Sequence, residues 1–368
     1  MKYLKIKDII VNTSPEKVPV GTTPYIEIGD IDIFNKTYQH KDKKSVSGAK
    51  YALKDSIIVS TVRPTRGAIS IIKEEKITVS NAFAIINVDK EQCNFKYLFY
   101  MINSNKFYQY LGSNSKGATY PTCSREDVYN YEIALPSLDE QNKIVKIFDN
   151  ISNSIIVKKQ QVFKLEQLIK SQFIKMFEKN NDYKTFKLEE IGYMQTGGTP
   201  SRKNNEYFKG NINWFTAGEL NSLFINDSIE KITVDALEHS SAKLFKENSL
   251  LIGMYDTAAM KMGILKHEAA SNQVCTNFYP KDNNVNIIWL YYYLNHHKED
   301  LLNERKGIRQ KNISLAILKN YSVKLYSIMI QNKFANIVKR IDKQKYEFEK
   351  QLEKLKELQE SLMKEYFG

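Results

Sequence analysis

The residues best suited to chemistry in this sequence are basic side chains in short loops. Arg63-Pro64-Thr65-Arg66-Gly67 follows a strand-like run of residues. Its proline and glycine predict a tight loop that presents two guanidinium groups. A guanidinium can make paired hydrogen bonds with a phosphate or with the edge of a guanine. This loop is therefore a candidate nucleic-acid contact.

Other loops carry comparable donors at matched places in the two halves of the chain. Residues 116–125 in the first half correspond to residues 305–311 in the second, and residues 255–261 correspond to the arginine loop. Residues 197–203, Gly-Gly-Thr-Pro-Ser-Arg-Lys, predict a turn whose amides approach a phosphate, or else a plain surface turn. Solvated charged loops are the alternative, but the matched placement favours function. The candidate DNA-contacting residues are Arg63, Arg66, Lys116, Tyr120, Arg125, Arg202, Lys203, Thr257, Lys261, Arg305, Arg309 and Lys311.

Motifs of common catalytic and cofactor sites are missing from the sequence. It has no Gly-x-x-x-x-Gly-Lys-Ser/Thr phosphate loop, no Gly-x-Gly-x-x-Gly dinucleotide loop and no Asn/Asp-Pro-Pro-aromatic motif of an amino-methyltransferase. The histidines do not combine with cysteines or carboxylates at metal-ligand spacing, and we expect His296 and His297 to point in different directions on a helix. We therefore expect no metal site.

One short motif leaves a nuclease open as an alternative. Glu74-Glu75-Lys76 contains the Glu-x-Lys part of a nuclease metal site, and Asp55 lies upstream as a nominal partner. Such a triplet is common in a chain rich in lysine and glutamate. It is therefore a weak indication of catalysis.

The candidate loops are positioned by a tandem duplication. A shift of 190 positions aligns residues 117–178 with residues 307–368 without a gap. Gln141-Asn142-Lys143 then matches Gln331-Asn332-Lys333, and Phe177 matches Phe367. A match kept in register over so long a segment indicates an internal repeat with pseudo-twofold character.

Each copy predicts a short strand followed by a long helix. Pro136 marks the start of the first helix, while Tyr326 at the matching place leaves the second start less sharply defined. Apolar residues recur at coiled-coil spacing over roughly 60 Å of helix. Antiparallel packing of the two helices would bury both stripes, whereas two ordinary amphipathic core helices are the alternative. The predicted packing residues are Ile144, Phe148, Ile151, Ile155, Leu165, Ile169, Phe334, Val338, Ile341, Phe348, Leu352 and Leu355.

The globular halves are related but more diverged than the helices. Residues 214–220, Trp-Phe-Thr-Ala-Gly-Glu-Leu, align with residues 25–31, Tyr-Ile-Glu-Ile-Gly-Asp-Ile. The predicted fold is α+β, with two homologous α/β domains separated by two long antiparallel helices that form a coiled coil. The predicted domains are residues 1–136, 137–180, 181–326 and 327–368.

The composition indicates which partners and which cellular compartment suit the protein. Lys and Arg number 54 against 42 Asp and Glu, a net charge of +12, which suits a polyanionic partner. Cys93, Cys123 and Cys275 are widely spaced, which indicates reduced thiols in a cytoplasm. No apolar run approaches the length of a membrane span and no signal peptide is evident, so we expect a soluble cytoplasmic protein.

These features resemble the DNA specificity subunits of Type I restriction–modification systems. Residues 135–141, Leu-Pro-Ser-Leu-Asp-Glu-Gln, look like the family's start of its first spacer helix. Residues 188–220, which carry Gly-Gly-Thr-Pro-Ser at 197–201 and Ile212-x-Trp214, look like the opening of a target-recognition domain. Residues 263–280, with Ala-Ala-Ser-Asn-Gln at 269–273, are similar to a later part of that domain. The second spacer keeps Gln331 but has lost the proline and the glutamate, which indicates a weaker docking surface for partners there. The first head lacks the Gly-Gly-Thr-Pro-Ser loop, which indicates a different recognition subtype.

The resemblance implies a non-catalytic subunit. Each target-recognition domain would read one half of an asymmetric, bipartite site in double-stranded DNA, and the helices would set the gap. Two modification subunits would carry S-adenosylmethionine, restriction subunits would carry ATP and magnesium, and this chain would bind no cofactor. The remaining alternatives are a coiled-coil scaffold without a DNA role and a diverged nuclease or methyltransferase.

Overall fold

The computed structural model describes residues 2–11, 18, 21–44, 48–255, 258–303 and 312–368. Four candidate contacts, Thr257, Arg305, Arg309 and Lys311, lie outside these residues. The chain divides into two compact units, one of Met1–Gln160 with Glu349–Gly368 and one of Gln161–Phe348. Both divisions fall inside long helices. Each unit therefore contains one globular head and a part of each helix.

The first unit is mixed α and β. Its described strands are β1 (Lys2–Lys5), β2 (Thr22–Ile26), β3 (Ile31–Asp32), β4 (Thr37–Tyr38), β5 (Lys41–Lys44), β6 (Lys50–Leu53), β7 (Ile57–Ser60), β8 (Ile69–Ile71), β9 (Lys76–Val79), β10 (Phe83–Ile86) and β11 (Glu132–Leu135). They form sheets in the orders β5-β2-β9-β6 and β10-β7-β8, and the pairs β3-β4 and β1-β11. Its helices are α1 (Phe95–Ile102), α2 (Asn105–Ser113), α3 (Arg125–Tyr129) and the first part of α4 (Leu138–Phe173).

Short polar residues start the small helices of this unit. The side chains of Asn94, Ser104 and Ser124 accept backbone N–H groups in the first turns of α1, α2 and α3. These caps satisfy donors that have no partner inside the helix. The same residues therefore decide where each helix begins.

The second unit is also mixed α and β, and its two main sheets have five and four described strands, against four and three in the first unit. Its described strands are β12 (Tyr183–Lys187), β13 (Gly192–Thr196), β14 (Ile212–Phe215), β15 (Phe224–Ile225), β16 (Glu230–Ile232), β17 (Leu244–Phe245), β18 (Leu250–Gly253), β19 (Met262–Leu265), β20 (Ala269–Ser271), β21 (Cys275–Pro280) and β22 (Ser322–Tyr326). They form the orders β13-β21-β18-β19-β15 and β16-β14-β20-β17, and the pair β12-β22. Its helices are the last part of α4, α5 (Leu188–Ile191), α6 (Val234–Glu238), α7 (Ile287–His296), α8 (Lys298–Asn303), α9 (Leu315–Asn320) and the first part of α10 (Ile328–Phe367). The last part of α10 belongs to the first unit.

Each head is closed by pairing its first strand with its last. Tyr3 of β1 lies opposite Ala134 of β11, and Lys184 of β12 lies opposite Leu325 of β22, both in antiparallel register. The long helix starts directly after this closing strand in both units. The mixed α and β content and the two-domain repeat predicted from the sequence are confirmed.

Inside each unit the two helix parts lie side by side and run antiparallel. In the first unit the ring of Phe148 lies 5.6 Å from that of Phe367, and Gln359 donates to Ser152 at 3.3 Å. In the second unit Phe173 lies 5.5 Å from Phe334, and Lys345 pairs with Glu166 at 2.5 Å. Position numbers fall along one helix as they rise along the other.

The apolar stripe of the helices lies inward in both units. Burial removes these side chains from water and provides the main favourable term for helix packing. The buried members are Ile144, Phe148, Ile151, Ile155, Ile169, Phe334, Val338 and Ile341, and the half-buried members are Leu165, Phe348, Leu352 and Leu355. Phe173 and Phe177 are also buried, and the helix ends in a π-helical turn at Ile174–Glu178.

Candidate nucleic-acid interface

The arginine loop of the first unit has an unusual backbone. Arg63 adopts the left-handed conformation at φ 47° and ψ 52°, a single turn of 3-10 helix covers Pro64–Arg66, and Gly67 is again left-handed at φ 71°. Non-glycine residues rarely take positive φ, because the side chain crowds the backbone. Such strain persists where the surroundings hold it, and it concentrates at functional sites.

Lys36 holds the far end of this loop. Its Nζ donates to the carbonyl oxygen of Gly67 at 2.7 Å and to the hydroxyl of Tyr108 at 3.1 Å. Burial lowers the pKa of Lys36 to about 8, against an ordinary value of 10.5. A methyl group on Gly112 of α2 would lie 3.2 Å from the Cγ2 of Thr65, so the loop also rests on that helix. The loop is thus supported from two sides.

A second loop, residues 116–122, is joined to the first through the backbone. Lys116 and Thr122 exchange both of their backbone hydrogen bonds at 2.9 Å, and the turn uses Gly117 at φ 99°. The N–H of Arg63 then donates to the carbonyl oxygen of Pro121 at 2.7 Å. Two candidate loops that are distant in sequence therefore form one surface.

Side chains from both loops meet on this surface. The guanidinium of Arg63 lies over the ring of Tyr120, 4.1 Å from its centroid, and donates to the carbonyl oxygen of Thr119 at 3.2 Å. Tyr120 is 63% exposed, and Arg66 and Lys116 are also exposed. We call Arg63, Arg66, Lys116 and Tyr120 the basic patch of the first unit. It concentrates positive charge beside an accessible aromatic face, which suits nucleic acid.

Arg125 serves the interior of the same unit. Its Nε donates to the carbonyl oxygen of Phe83 at 3.0 Å, and its Nη2 donates to that of Asn81. The guanidinium thus ties the start of α3 to the β10 strand. These bonds favour a structural role for Arg125 and leave it outside the basic patch.

The second unit builds the same junction under different side chains. In the first unit Cys123 donates its N–H to the carbonyl oxygen of Thr61 at 2.9 Å, and in the second Ile313 donates to that of Met254 at 2.8 Å. Lys261 is half-buried and its carbonyl oxygen accepts the N–H of Gly253 at 2.8 Å. The described residues that flank these loops in the second unit therefore form a backbone framework equivalent to that of the first.

The glycine turn of the second unit is built into the fold. The N–H groups of Gly197 and Gly198 donate to the carbonyl oxygens of Cys275 and Ser271 at 3.0 and 2.9 Å. Both glycines are buried, and the indole of Trp214 donates to the carbonyl oxygen of Gly198 at 2.9 Å. The expectation that these two amides approach a phosphate is therefore wrong, because both already donate to carbonyl oxygens of the same head. Close packing against neighbouring backbone is what requires glycine here.

Arg202 is likewise engaged within its own head. It forms a two-point ion pair with Glu230, whose second contact, Nη2 to Oε2, is 2.7 Å long, and it lies over the ring of Phe208 at 4.1 Å. The guanidinium holds the pKa of the Glu230 carboxyl below its ordinary value. Lys203 next to it is exposed. The ion pair favours a structural role for Arg202.

Glu74 and Glu75 of the nuclease-like triplet and the upstream Asp55 each have a different side-chain partner. Glu74 accepts a hydrogen bond from the hydroxyl of Tyr38, Glu75 pairs with Lys54 at 2.5 Å, and Asp55 pairs with Lys90 at 2.7 Å. In the described part of the chain no group of three or more His, Cys, Asp or Glu residues is arranged to hold a metal ion. The alternative of a metal-dependent nuclease at this place has no geometric support.

The thiols are unsuited to nucleophilic chemistry. All three cysteines are free and buried. Burial raises the pKa of Cys93 and Cys275 to about 12 and that of Cys123 to about 11.

No helix in the described part of the chain is both long enough and apolar enough to cross a membrane.

His296 and His297 approach one carboxylate, which corrects the expectation that they diverge. Their Nε2 atoms lie 3.5 and 3.7 Å from the Oε1 of Glu178. Helix α7 ends between them, so the spacing rule for a continuous helix does not apply. Burial lowers the pKa of His296, while Glu178 opposes that shift.

A buried glutamine fixes each long helix to its head. Gln141 is fully buried, accepts the N–H of Asn94 at 2.8 Å and donates to the carbonyl oxygens of Pro136 and Gln92 at 2.9 and 3.2 Å. The next residue, Asn142, accepts from the side chain of Asn94 at 2.8 Å. We call this arrangement the glutamine clamp.

The second unit contains the same clamp. Gln331 accepts the N–H of Asn286 at 2.8 Å and donates to the carbonyl oxygens of Tyr326 and Asn284 at 2.7 and 3.0 Å. The repeat revealed the two glutamines as matched positions, but it did not show that they are buried. The available signal was that the same polar residue recurs in the first turn of each long helix. A buried amide at such a position must find hydrogen-bond partners.

Comparison with protein families gives one match that covers most of the chain. The family model described as Type I restriction modification DNA specificity domain matches residues 2–167 and again residues 180–359. Each of the two matched segments covers one globular head and most of the long helix that follows it.

Among curated proteins, the Type I restriction enzyme EcoR124I/EcoR124II specificity subunit of Escherichia coli is 24% identical over 277 residues, which cover 70% of this chain and 66% of that protein. The MjaVIII specificity subunit of Methanocaldococcus jannaschii is 26% identical over 301 residues, covering 71% of this chain and 68% of that protein. The MjaIX specificity subunit of the same organism matches over 44% of its length. The chain thus spans between about half and two thirds of these relatives.

Solved structures share the fold at low sequence identity. The S subunit of a Type I restriction-modification system from M. genitalium has a TM-score of 0.65 and 14% identity, with 100% of this chain and 96% of that one covered. A chain from a study of complex assembly and conformational transition of the type I R-M system has a TM-score of 0.64 and 18% identity, with 100% and 97% covered.

Proposed function

Because this chain belongs to the Type I restriction modification DNA specificity family, we propose that it is the DNA sequence-recognition subunit of a Type I restriction–modification complex. In this role it carries no catalytic centre of its own. It selects the DNA on which other subunits act.

The observation that supports this proposal is that the two units share a backbone junction but have different residues in the adjoining loops. In both units one backbone hydrogen bond joins the residues that flank the two loop regions. It runs from Cys123 to Thr61 in the first unit and from Ile313 to Met254 in the second. The first framework carries Arg63 and Arg66, whereas the matching segment of the second contains Tyr255 and Lys261. Two related surfaces with different donors suit the reading of two different base sequences.

We assign one half of a bipartite, asymmetric site in double-stranded DNA to each head. Residues 1–136 and 181–326 are the proposed target-recognition domains, and each enters the major groove. Readers spaced by about one helical turn, roughly 34 Å, face the same side of the duplex. The net charge of +12 favours the approach of a polyanion. The second-unit contacts proposed on this basis are Lys203, Thr257, Lys261, Arg305, Arg309 and Lys311.

The long helices are the proposed spacers, residues 137–180 and 327–368. As an antiparallel coiled coil they set the gap between the half-sites. Support comes from inside each unit, where Phe148 meets Phe367 and Phe173 meets Phe334. The glutamine clamps support the same proposal, because they fix the start of each helix to its own head.

The proposed partners are two modification subunits and the restriction subunits. S-adenosylmethionine then belongs to the modification subunits, and ATP with magnesium to the restriction subunits, while this chain binds no cofactor. Support comes from the relatives, which are named as specificity subunits of restriction enzymes. We propose that the complex acts in the cytoplasm, where the three buried cysteines stay reduced.

Methylation mapping tests the function. The host genome is sequenced for methylated bases with the gene present, with it deleted, and with Arg66→Ala or Arg340→Ala in its place. We expect one two-part motif that disappears on deletion. Arg66→Ala should relax one half of the motif, whereas Arg340→Ala, an exposed arginine of α10, should leave both halves unchanged.

The same experiment can refute the proposal. A genome whose methylation is identical with and without the gene would contradict a targeting role. Equal relaxation of both half-sites by Arg66→Ala would contradict the assignment of one head to one half-site. In binding assays with the assembled complex, affinity should fall steeply as salt rises, because phosphate contacts release counterions.

A further inference from the structure

We propose that Arg63 reads a guanine in the half-site bound by the first unit, and that Tyr120 holds its guanidinium in the reading orientation. This inference rests on the proposed function. It adds the chemical identity of one recognised base and the residue that selects it. Four features of the basic patch support it.

Contacts within the protein itself hold the backbone conformation of Arg63. Its left-handed φ of 47° is fixed between β7 and the 3-10 turn at Pro64–Arg66, and its N–H is held by the carbonyl oxygen of Pro121 at 2.7 Å. Lys36 fixes the other end through Gly67. A strained backbone that is anchored on both sides presents its side chain in one direction, which reduces the ordering cost of recognition.

The guanidinium itself is also oriented. It lies 4.1 Å from the ring centroid of Tyr120, and Nη2 donates one hydrogen bond to the carbonyl oxygen of Thr119. A guanidinium has five N–H donors, so this bond leaves enough for a two-point contact. Stacking occupies one face of the guanidinium and leaves its edge for hydrogen bonding.

A guanidinium whose edge is held in one orientation suits contact with a base better than contact with a phosphate. Paired bonds to O6 and N7 of guanine require the guanidinium to lie in the plane of the base, whereas a phosphate accepts donors from many directions. The ammonium group of exposed Lys116 acts as a point charge and suits a phosphate contact beside it. Within the basic patch, Arg63 is the side chain whose guanidinium is held in one orientation for a two-point base contact.

The two units differ at this place. The segment of the second unit that matches the arginine loop, residues 255–261, contains no arginine. The guanine contact therefore belongs to one half of the motif only. This asymmetry allows an internal comparison in a single experiment.

The test uses the full chain in complex with its modification subunits, with methylation mapped across the genome. The variants are Arg63→Gln, Tyr120→Ala and Tyr120→Phe, and the matched control is Arg340→Gln on the exposed face of α10. Glutamine pairs with adenine as arginine pairs with guanine. We expect Arg63→Gln to change one guanine of one half-site to adenine or to reduce the preference for guanine by about 5- to 150-fold.

The tyrosine variants separate orientation from overall folding. Tyr120→Ala should weaken the preference at that same position without introducing a new base, while Tyr120→Phe should retain the preference because the stacking ring remains. The other half-site should stay unchanged in every variant. Arg340→Gln should show the motif of the unsubstituted protein.

The outcomes distinguish this inference from the proposed function. A clear two-part motif that Arg63→Gln leaves unchanged overturns the guanine assignment alone. Equal weakening of both halves contradicts the assignment of one head to one half-site, and the guanine assignment fails with it. Loss of preference in both Tyr120 variants overturns the orienting role of the ring. If the unsubstituted protein directs no methylation motif, the proposed function fails and this inference fails with it.

Discussion

The side-chain oxygen of Gln141 accepts the backbone N–H of Asn94 at 2.8 Å, beneath the first turn of α1. This bond joins the start of a long helix to the head that precedes it. Gln331 and Asn286 make the same bond at the same length in the second unit. Duplication has therefore preserved a buried polar contact as well as an apolar stripe.

Replacing either clamp glutamine should destabilise the protein. Gln141→Leu and Gln331→Leu each leave a buried N–H and two carbonyl oxygens without their partner, at a cost of about 1–3 kcal/mol. Urea unfolding measures the effect, and Gln351→Leu on the exposed face of α10 provides the control. Variants as stable as the control would show that water replaces the glutamine without loss.

Phe148 should contribute strongly to the stability of the first unit. It is fully buried and lies against Tyr100, Tyr366 and Phe367. Phe148→Ala creates a cavity and should lower the free energy of unfolding by about 3–5 kcal/mol. Thermal unfolding measures this loss. Phe163 on the same helix is 59% exposed, so Phe163→Ala should lower the free energy of unfolding much less. Similar losses for both would argue against the packing described.

Gly198 should tolerate no side chain. A methyl group there would lie 2.0 Å from the carbonyl oxygen of Ser241. Gly198→Ala should therefore destabilise the second unit by at least about 1–3 kcal/mol. At Gly218 the nearest atom would be 3.9 Å away, so Gly218→Ala is a matched control with little effect. Differential scanning calorimetry compares the two, and equal melting temperatures would refute the close approach.

Lys36 should make stability depend on pH above neutrality. Its folded pKa of about 8 lies below its ordinary value of 10.5, so between these values the unfolded chain holds a proton that the folded chain has lost. The free energy of unfolding therefore rises with pH in this window, by up to about 1 kcal/mol per pH unit, since solvent screens part of the effect.

The variant Lys36→Met isolates this contribution. Urea titrations at several pH values from 8 to 9.5 should show a smaller rise with pH for Lys36→Met than for the natural protein. Lys41→Met, on an exposed neighbour in β5, should keep the natural dependence. An identical pH dependence in all three proteins would mean that Lys36 keeps its proton in the folded state.

Much of the framework was predictable because it depends on local pattern and on repetition. The shift of 190 positions identified the repeat, and apolar spacing identified the long helices with Phe148 and Phe334 on their inner faces. A helical stripe is encoded by residues three and four apart, so periodicity alone locates it. Pro64 and Gly67 likewise predicted a tight loop at the arginines.

The tertiary structure decided which candidate residues share a surface. Arg63 and Tyr120 are far apart in sequence, and backbone contacts between their segments, such as that of Arg63 with Pro121, bring them together. Arg125 and Arg202 looked equally available, yet their donors are taken by carbonyl oxygens of Asn81 and Phe83 and by Glu230. Packing between distant segments determines whether a charged side chain faces solvent or the interior, and no local spacing of residues encodes that choice.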